Sequence, residues 1–504
     1  MKLDLKNFKT YHKEFSLGHL TTESVHPDSK NLSHIVSTDI IKAIDIIKTI
    51  DEKALQSLES RVDQIFQFQN ICQKVLKNNG RVFIVGCGAT GRLALTIEKI
   101  AIDLGLKDKV IGFMAGGDYA LVRAVERFED SIEFGQKQLM ELGFNQNDLC
   151  VAVTEGGETS FVIGAVMKAA EISKYSSYFL YCNPDEQLLH LSRSKFILEN
   201  DKIKKLNLTC GPMAISGSTR MQATTVQMLV VGIGLFYTHK SASDLWNLLQ
   251  KMTNIFTHTD FHPLAPFINH EFKMYAEGGL TNYITSEQLA ISILTDTTER
   301  SPTFSLPMFE KVDEDYFCFC YLILEDEEDT QKAWTKLLGR APRCLDWGDE
   351  TKLINFQELL KVDISKNSMK RRSLKNEATS FFIRPTSDFS QIVFSFGDND
   401  WKINVTELDL FGKHLLLKQI LNIHSTLIMG LLKRYDGNLM SYVRPSNFKL
   451  IDRAVRYIEI LTEKNDKQYS REKIIETLFK LLSLNPKDNS SIVYRVIDEL
   501  QKDQ

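Results

Sequence analysis

The sequence of 504 residues lacks the features that would assign it to a membrane or to nucleic acid. Its most apolar run, residues 228–237, is far too short to span a bilayer. Residues 1–15 contain no apolar stretch of the kind that directs secretion. The formal net charge of −4 offers no electrostatic attraction for nucleic acid or an anionic membrane. We therefore expect a cytoplasmic protein with neither of these partners.

Metal-binding and disulfide patterns are also missing. None of the eight cysteines forms a CxxC pair, and the eleven histidines are scattered without the spacing of metal ligands. Cysteines this sparse in a long chain do not form a disulfide framework, which indicates a reducing compartment. We expect no metal site and no cofactor.

Short apolar runs alternate with amphipathic helical segments. Five runs of the first half have the composition of strands buried on both faces; they are residues 81–85, 110–114, 149–153, 177–181 and 206–210. This alternation predicts an α/β fold, with a parallel sheet covered by helices. A less regular unit of the same kind begins near residue 241, with strands predicted at 316–324 and 391–396. The chain becomes helical again from residue 415.

Small residues follow three of the predicted strands and lead into helices. The three loops are Gly86-Cys87-Gly88-Ala89-Thr90-Gly91, Thr154-Glu155-Gly156-Gly157-Glu158-Thr159 and Ser216-Gly217-Ser218-Thr219-Arg220. Glycines let the backbone approach a ligand closely, and the first N–H groups of a helix attract anions. Because the carboxyl ends of parallel strands share one edge of a sheet, we expect the loops to converge on one crevice.

Each loop alone has other interpretations. A glycine-rich turn between a strand and a helix also occurs in dinucleotide-binding folds and as a simple connection. A dinucleotide site requires an acidic residue at the end of the next strand, whereas that strand leads into Ala115-Gly116-Gly117-Asp118. Taken together, and with a hydroxyl in each, the loops favour a site for a phosphate ester.

Four motifs occur in order along the first half: residues 84–93, residues 115–130, Cys182-Asn183-Pro184 and residues 216–221. In this order they resemble the SIS (sugar isomerase) domain of N-acetylmuramic acid 6-phosphate etherases. The resemblance implies a phosphosugar ligand. The residues that it implies for binding are Gly86, Gly88, Ala89, Thr90, Gly91, Gly157, Thr159, Ser216, Ser218, Thr219, Arg220 and Lys449. Lys449 matches a residue of the family's C-terminal cap, and its other interpretation is a surface lysine.

The architecture resembles more closely a relative of the etherases, the glucokinase regulatory protein, which carries two SIS domains and a helical C-terminal cap. The etherase pattern is interrupted at about residue 237 and resumes near residue 421. The resemblance therefore implies two SIS-type domains with parallel sheets flanked by helices in three layers. The implied divisions are an N-terminal lead (1–55), a first SIS domain (56–238), a second, degenerate SIS domain (239–430) and a helical cap (431–504).

The resemblance also implies two carboxylates for acid–base chemistry. Glu129 matches a family glutamate, and Glu299 lies in a match to the helix-end motif that bears a catalytic glutamate. One carboxylate removes the C2 proton of an open-chain amino sugar, and the other protonates the departing C3 ether oxygen. The resemblance implies Glu129 as the base and Glu299 as the acid, in a composite site between the two domains. By spacing alone, both would be interpreted as surface glutamates.

Three departures from the family pattern bear on activity. The family's second loop carries a serine and an arginine where this chain has Gly156 and Glu158, and a lysine stands where this chain has Gln222. These changes remove a hydroxyl donor and put negative charge where a phosphate is expected.

Two functions therefore remain open. One is a lyase that removes D-lactate from a 6-phosphorylated amino sugar. The other is a non-catalytic phosphosugar sensor that regulates a partner such as a sugar kinase. A ketose–aldose isomerase is less favoured, because the sequence shows no isomerase-specific arrangement of a histidine and a base.

Overall fold

The computed structural model describes residues 4–373, 377–464, 467–484 and 490–502. Within these residues, ten strands form two five-stranded sheets. The first sheet contains β1 (Val82–Gly86), β2 (Val110–Met114), β3 (Leu149–Val153), β4 (Ser177–Tyr181) and β5 (Ile203–Asn207). The second contains β6 (Leu280–Thr285), β7 (Cys320–Leu324), β8 (Ala378–Pro385), β9 (Gln391–Phe396) and β10 (Asn399–Asn404). The prediction of a two-sheet α/β protein is confirmed.

The first sheet has the strand order β2-β1-β3-β4-β5, with every strand parallel to its neighbours. Strands β1, β2 and β3 are buried along their whole length, as their apolar composition predicts. Strand β5 begins at Ile203, whereas the sequence predicted a start at residue 206. It lies at the sheet edge and exposes Lys204, so its alternating pattern differs from that of the buried strands.

Helices precede and surround this sheet. They are α1 (Leu5–Tyr11), α2 (Leu32–Thr38), α3 (Ile40–Gln56), α4 (Val62–Lys77), α5 (Gly88–Asp103), α6 (Glu126–Glu129), α7 (Ile132–Glu141), α8 (Ser160–Ile172), α9 (Asp185–Leu188), α10 (Ser192–Leu198) and α11 (Gln222–Phe236). Helices α5 and α8 begin directly after the loops that follow β1 and β3. Their N-termini therefore point to the carboxyl edge of the sheet, as the sequence predicted.

The second sheet is mixed, which corrects the expectation of a parallel sheet. Its order is β10-β9-β8-β6-β7: β6 is parallel to β7 and β8, whereas β8, β9 and β10 run antiparallel. A tight turn at Gly397, whose φ is 60°, joins β9 to β10 and reverses the chain. The surrounding helices are α12 (Ala242–His258), α13 (Leu264–Ala276), α14 (Glu287–Phe304), α15 (Thr330–Leu338), α16 (Phe356–Leu360) and α17 (Asn367–Ser373).

Four more helices follow the second sheet: α18 (Leu410–Leu431), α19 (Phe448–Glu463), α20 (Arg471–Leu484) and α21 (Ile492–Lys502). Helix α18 is buried along most of its length and contacts α3 and α11 as well as α13 and α14. It therefore packs the two sheet units together, and α19 to α21 pack on one another as a cap. The divisions at residues 55, 238 and 430 stay predictions. Among the described helices, none is long and apolar enough to cross a membrane.

Candidate functional site

A cavity of about 120 Å³ lies at the carboxyl edge of the first sheet, where the three predicted loops meet. The N-terminal lead and helix α19 complete its walls. The lining residues are Leu17, Leu20, Thr22, Glu23, Cys87, Gly88, Ala89, Glu129, Glu155, Gly156, Glu158, Thr159, Thr219, Lys449 and Arg453. In the described parts of the chain, no cluster of three or more His, Cys, Asp or Glu side chains could hold a metal ion.

The first loop brings the N-terminus of helix α5 to this cavity. The helix begins at Gly88, whose φ of 50° is a left-handed conformation that favours glycine. Gly88 and Ala89 line the cavity, and the first N–H groups of a helix have no partner within the helix. Thr90 stabilises the loop itself: its hydroxyl accepts from the Cys87 N–H at 3.1 Å and donates to the Cys87 carbonyl at 2.9 Å. The loop can therefore offer backbone N–H groups to an anion.

The second loop is held by hydrogen bonds between its own residues. Gly157 has a φ of 77° and donates its N–H to the Thr154 hydroxyl at 3.3 Å. The hydroxyls of Thr154 and Thr159 are 3.0 Å apart. Thr159 lines the cavity and immediately precedes helix α8, so this loop brings a second helix N-terminus to the site.

Glu158, which replaces the family's arginine in this loop, is neutralised by two cations. It forms an ion pair with Arg193 and another, of 3.2 Å, with Lys449. Burial raises the pKa of Glu158, but Lys449 and Arg193 outweigh it and lower the pKa to about 2. The negative charge that the sequence put at the phosphate position is therefore compensated inside the folded protein.

The residues of the third loop, before the N-terminus of helix α11, point in two directions. Thr219 lines the cavity, and the Ser218 hydroxyl is buried with no hydrogen-bond partner among the described residues. Arg220 turns away: it forms an ion pair with Asp296 at 3.1 Å and donates to the Thr426 hydroxyl at 3.0 Å. Arg220 thus connects this loop to α14 and α18.

Three of the residues predicted to bind the phosphosugar have structural roles instead. A Cβ added to Gly86 would lie 2.3 Å from the backbone of the first turn of α5, and one added to Gly91 would lie 2.5 Å from the Met114 Cβ of strand β2. The Ser216 hydroxyl is fully buried and donates to the Glu23 carbonyl at 2.8 Å. These residues position the loops, and none of them belongs to the cavity lining.

Lys449, on helix α19, bridges two carboxylates at the cavity wall. Its Nζ lies 3.2 Å from Glu158 and 3.5 Å from Glu129. Burial alone would lower the pKa of Lys449, but Glu158 and Glu129 outweigh it and raise the pKa. The lysine therefore brings a positive charge to the cavity, and its role in binding a phosphosugar stays a prediction.

Glu299 lines a second, smaller cavity of about 30 Å³ between helices α5, α11, α14 and α18. It forms a buried ion pair with Arg92, which also donates to the Thr298 hydroxyl at 3.1 Å. Ala89 lines both cavities. Glu129 and Glu299, remote in sequence, therefore line adjoining cavities on the two sides of Ala89.

A carboxyl group that the sequence did not single out lies where the two cavities meet. Glu155 is buried and lines the larger cavity; its Oε1 is 3.3 Å from the hydroxyl of Thr224, which lines the smaller one. Burial raises the pKa of Glu155 to about 7, and Glu299 and Glu129 act in the same direction. The sequence showed Glu155 only as one of two glutamates in the second loop, because these neighbours come from distant segments.

The N-terminal lead is fixed over the site by contacts that the sequence did not predict. Glu23 accepts from Arg453 Nε at 3.0 Å and from Arg456 at 2.8 Å. Burial raises the pKa of Glu23, but the two arginines outweigh it and lower the pKa to about 2. The Thr22 N–H donates to the Asn183 side chain at 2.9 Å. Residues near both ends of the chain therefore meet at the cavity.

Comparison with known proteins agrees with the motifs of these loops. The family model described as the glucokinase regulatory protein N-terminal SIS domain matches residues 64–170. N-acetylmuramic acid 6-phosphate etherases from Vibrio atlanticus and Picosynechococcus sp. are 30% and 33% identical over 220 residues, which are 43% of this chain and 67% and 68% of theirs. A putative phosphosugar isomerase structure from Clostridium difficile aligns with 80% of this chain and 96% of its own, at 12% identity and a TM-score of 0.44. Because the alignments with the etherases span two thirds of those proteins, this chain belongs to the SIS-domain family that includes the N-acetylmuramic acid 6-phosphate etherases.

Proposed function

We propose that the protein binds a phosphorylated amino sugar in the larger cavity and cleaves its C3 ether bond, as a carbon–oxygen lyase. One observation supports this most directly: a single cavity joins helix N-termini suited to a phosphate with carboxyl groups suited to proton transfer. The backbone N–H groups of Gly88 and Ala89 and the ammonium group of Lys449 would hold the phosphate. Ser218 does not itself line the cavity but adjoins the lining residue Thr219, and its buried hydroxyl, unpartnered among the described residues, would donate one further hydrogen bond.

The chemistry that follows is an elimination. The aldehyde of the open-chain sugar acidifies the proton at C2, and Glu129, at the cavity wall, is the proposed base. A carboxylic acid on the other side of the sugar protonates the ether oxygen as the C3–O bond breaks, which releases D-lactate. Environments that hold one carboxyl protonated and another ionised are what such a pair requires.

The test is D-lactate release from N-acetylmuramic acid 6-phosphate by the purified protein, followed with lactate dehydrogenase. We expect release by the wild type and a loss of about 10²–10⁴-fold in kcat for Glu129→Gln, with ligand binding retained. Unphosphorylated N-acetylmuramic acid should bind poorly, because it leaves the helix N-termini without an anion. Tight binding of the phosphorylated compound without any lactate release would contradict the lyase proposal.

The second candidate is a phosphosugar sensor that regulates a sugar kinase, and the charge of the cavity favours it. The lining contains four glutamates and two cations: Glu23, Glu129, Glu155, Glu158, Lys449 and Arg453. Both cations are already paired with carboxylates. An acid-rich lining disfavours a ligand that carries a lactyl carboxylate in addition to its phosphate. A kinase assay with and without the protein, across a series of hexose 6-phosphates, tests this alternative.

A further inference from the structure

We propose that Glu155 donates the proton to the departing ether oxygen, the role that the family resemblance gives to Glu299. This inference rests on the proposed lyase function. It starts from two carboxyl groups that line adjoining cavities but have opposite surroundings: Glu299 is paired with a buried arginine, whereas Glu155 has no ion-pair partner among the described residues.

Glu299 is poorly suited to the role of an acid. It is paired with Arg92, whose guanidinium is itself buried and also donates to the Leu121 carbonyl at 2.9 Å. The Arg92 guanidinium keeps its protons and is a donor only, so it engages the Glu299 carboxylate as a fixed partner. A proton donor has to present its carboxyl group to the ligand, and the ion pair with Arg92 competes with that role.

Glu155 has the opposite environment. Among the described residues it has no ion-pair partner, and its hydrogen-bond partners are its own backbone N–H and, at 3.3 Å, the Thr224 hydroxyl. That hydroxyl carries a single hydrogen, which the Thr219 carbonyl accepts at the shorter distance of 2.7 Å. The contact with Glu155 is therefore best satisfied when the carboxyl group is protonated and donates to the threonine oxygen.

The charged and titratable groups around Glu155 point the same way. Burial has the largest effect and raises the pKa of Glu155, and Glu299 on α14 and Glu129 on α6 also disfavour a further negative charge. The residue's own backbone N–H and Lys449 on α19 act in the opposite direction without cancelling this rise. Cys87, at the start of α5, is a buried thiol whose own pKa is raised well above its usual range. Since burial and these carboxylates raise the pKa of Glu155 to about 7, its acid form is populated at neutral pH.

The proton and electron balance of the step is complete with these two groups. Glu129 takes the proton from C2, and the electron pair of that C–H bond forms the C2–C3 double bond. The C3–O bond breaks as Glu155 transfers its proton to the oxygen, so D-lactate leaves with a neutral hydroxyl. The step ends with Glu129 protonated and Glu155 ionised, and exchange with solvent restores both.

The experiment compares Glu155→Gln with the matched control Glu186→Gln, an exposed glutamate on helix α9. We expect Glu155→Gln to lower kcat by about 10²–10⁴-fold while the Kd for N-acetylmuramic acid 6-phosphate changes little. Wild-type kcat should fall as the pH rises above about 7, because the acid form of Glu155 is lost. Glu155→Asp keeps a carboxylic acid at this position. Its kcat should be lower than that of the wild type but should show the same decline as the pH rises.

An infrared measurement checks the protonation state without turnover. At pH 6 the C=O band of protonated carboxyl groups contains Glu155 and also the buried Asp51, whose pKa is raised to about 6 by burial. The band should be unchanged in Glu186→Gln and should lose the intensity that belongs to Glu155 in Glu155→Gln. If Glu155→Gln keeps wild-type kcat, or if the band is as intense in it as in the wild type, the inference is wrong while the lyase proposal stands. If the wild type releases no lactate, both fail together.

Discussion

A buried glutamate that stays protonated in the folded state should make the protein less stable as the pH rises, and Glu155 allows this to be measured. An ordinary glutamate has a pKa of 4.5, whereas burial raises that of Glu155 to about 7. The folded state therefore binds this proton more tightly than the unfolded state does. The contribution of Glu155 to the free energy of unfolding therefore decreases as the pH rises from 4.5 to about 7, and it is constant above pH 7.

The magnitude follows from the same two values. At 1.36 kcal/mol per pKa unit, the ionised Glu155 costs the fold about 3 kcal/mol above pH 7. Glutamine has nearly the same shape and no charge at any pH. Relative to the wild type, Glu155→Gln should therefore gain about 3 kcal/mol of unfolding free energy at pH 8 and much less at pH 4.5.

Urea-induced unfolding, followed by tryptophan fluorescence at pH 5 and pH 8, measures this difference. Glu186→Gln provides the matched control, because it makes the same chemical change on an exposed helix. Its effect should be small and alike at both pH values. If Glu155→Gln changed the unfolding free energy equally at pH 5 and pH 8, Glu155 would not be the buried acid that its surroundings imply.

Three further predictions follow from contacts of the site. Ser218→Ala should weaken phosphosugar binding by about 1 kcal/mol and leave stability unchanged. Ser216→Ala should instead lower the free energy of unfolding by about 1 kcal/mol and leave affinity unchanged. Calorimetry measures the affinities, and thermal unfolding measures the stabilities. Glu23, whose pKa is lowered to about 2, stabilises the fold above pH 4.5, and this contribution is lost as the pH falls towards 2. Glu23→Gln should therefore cost about 3 kcal/mol in urea unfolding at pH 7 and much less at pH 2.5, and equal losses at both would contradict the argument. Lys449→Met should weaken binding of a 6-phosphorylated sugar at least tenfold and reduce its salt dependence in titrations, while a variant with wild-type affinity would show that this lysine holds no phosphate.

The sequence predicted the first sheet well because its strands are buried on both faces. The β3 run, residues 149–153, is uninterrupted by polar side chains and matches the observed strand. The edge strand β5 carries Lys204 and Lys205, so its apolar pattern is broken and its start was misplaced. In the second unit, the strand run at 391–396 was predicted, but the antiparallel partners β8 and β10 were not. The turn at Gly397-Asp398 was the local signal for that hairpin.

Residues 366–375 illustrate how tertiary pairing changes the interpretation of charged residues. A stretch this hydrophilic and basic is typical of an exposed loop, yet residues 367–373 form helix α17; residues 374–375 lie outside the described residues. Arg372 is fully buried there and pairs with Glu310. Nothing local distinguishes this arginine from a solvated one, since its partner lies 62 positions away.

The candidate site divides in the same way. Its loops could be predicted, because glycines and hydroxyls between a strand and a helix are local patterns. Its charges could not: Glu158 is compensated by Arg193 and Lys449, and the pKa of Glu155 depends on burial together with residues from other elements. Ion-pair partners are distant in the sequence and can be identified only in the folded chain, whereas a loop motif consists of a few adjacent residues.

The meeting of residues 17–23 with helix α19 at the cavity has a consequence for how the protein is made. The first sheet and its loops are complete once residue 236 has left the ribosome, but Lys449 and Arg453 follow more than two hundred residues later. Until then Glu23 lacks its arginine partners, and the cavity lacks one wall. A nascent chain can therefore fold its first sheet early but can acquire a closed site only near the end of synthesis. A ligand that requires the closed site would therefore bind only a chain that has been translated through α19.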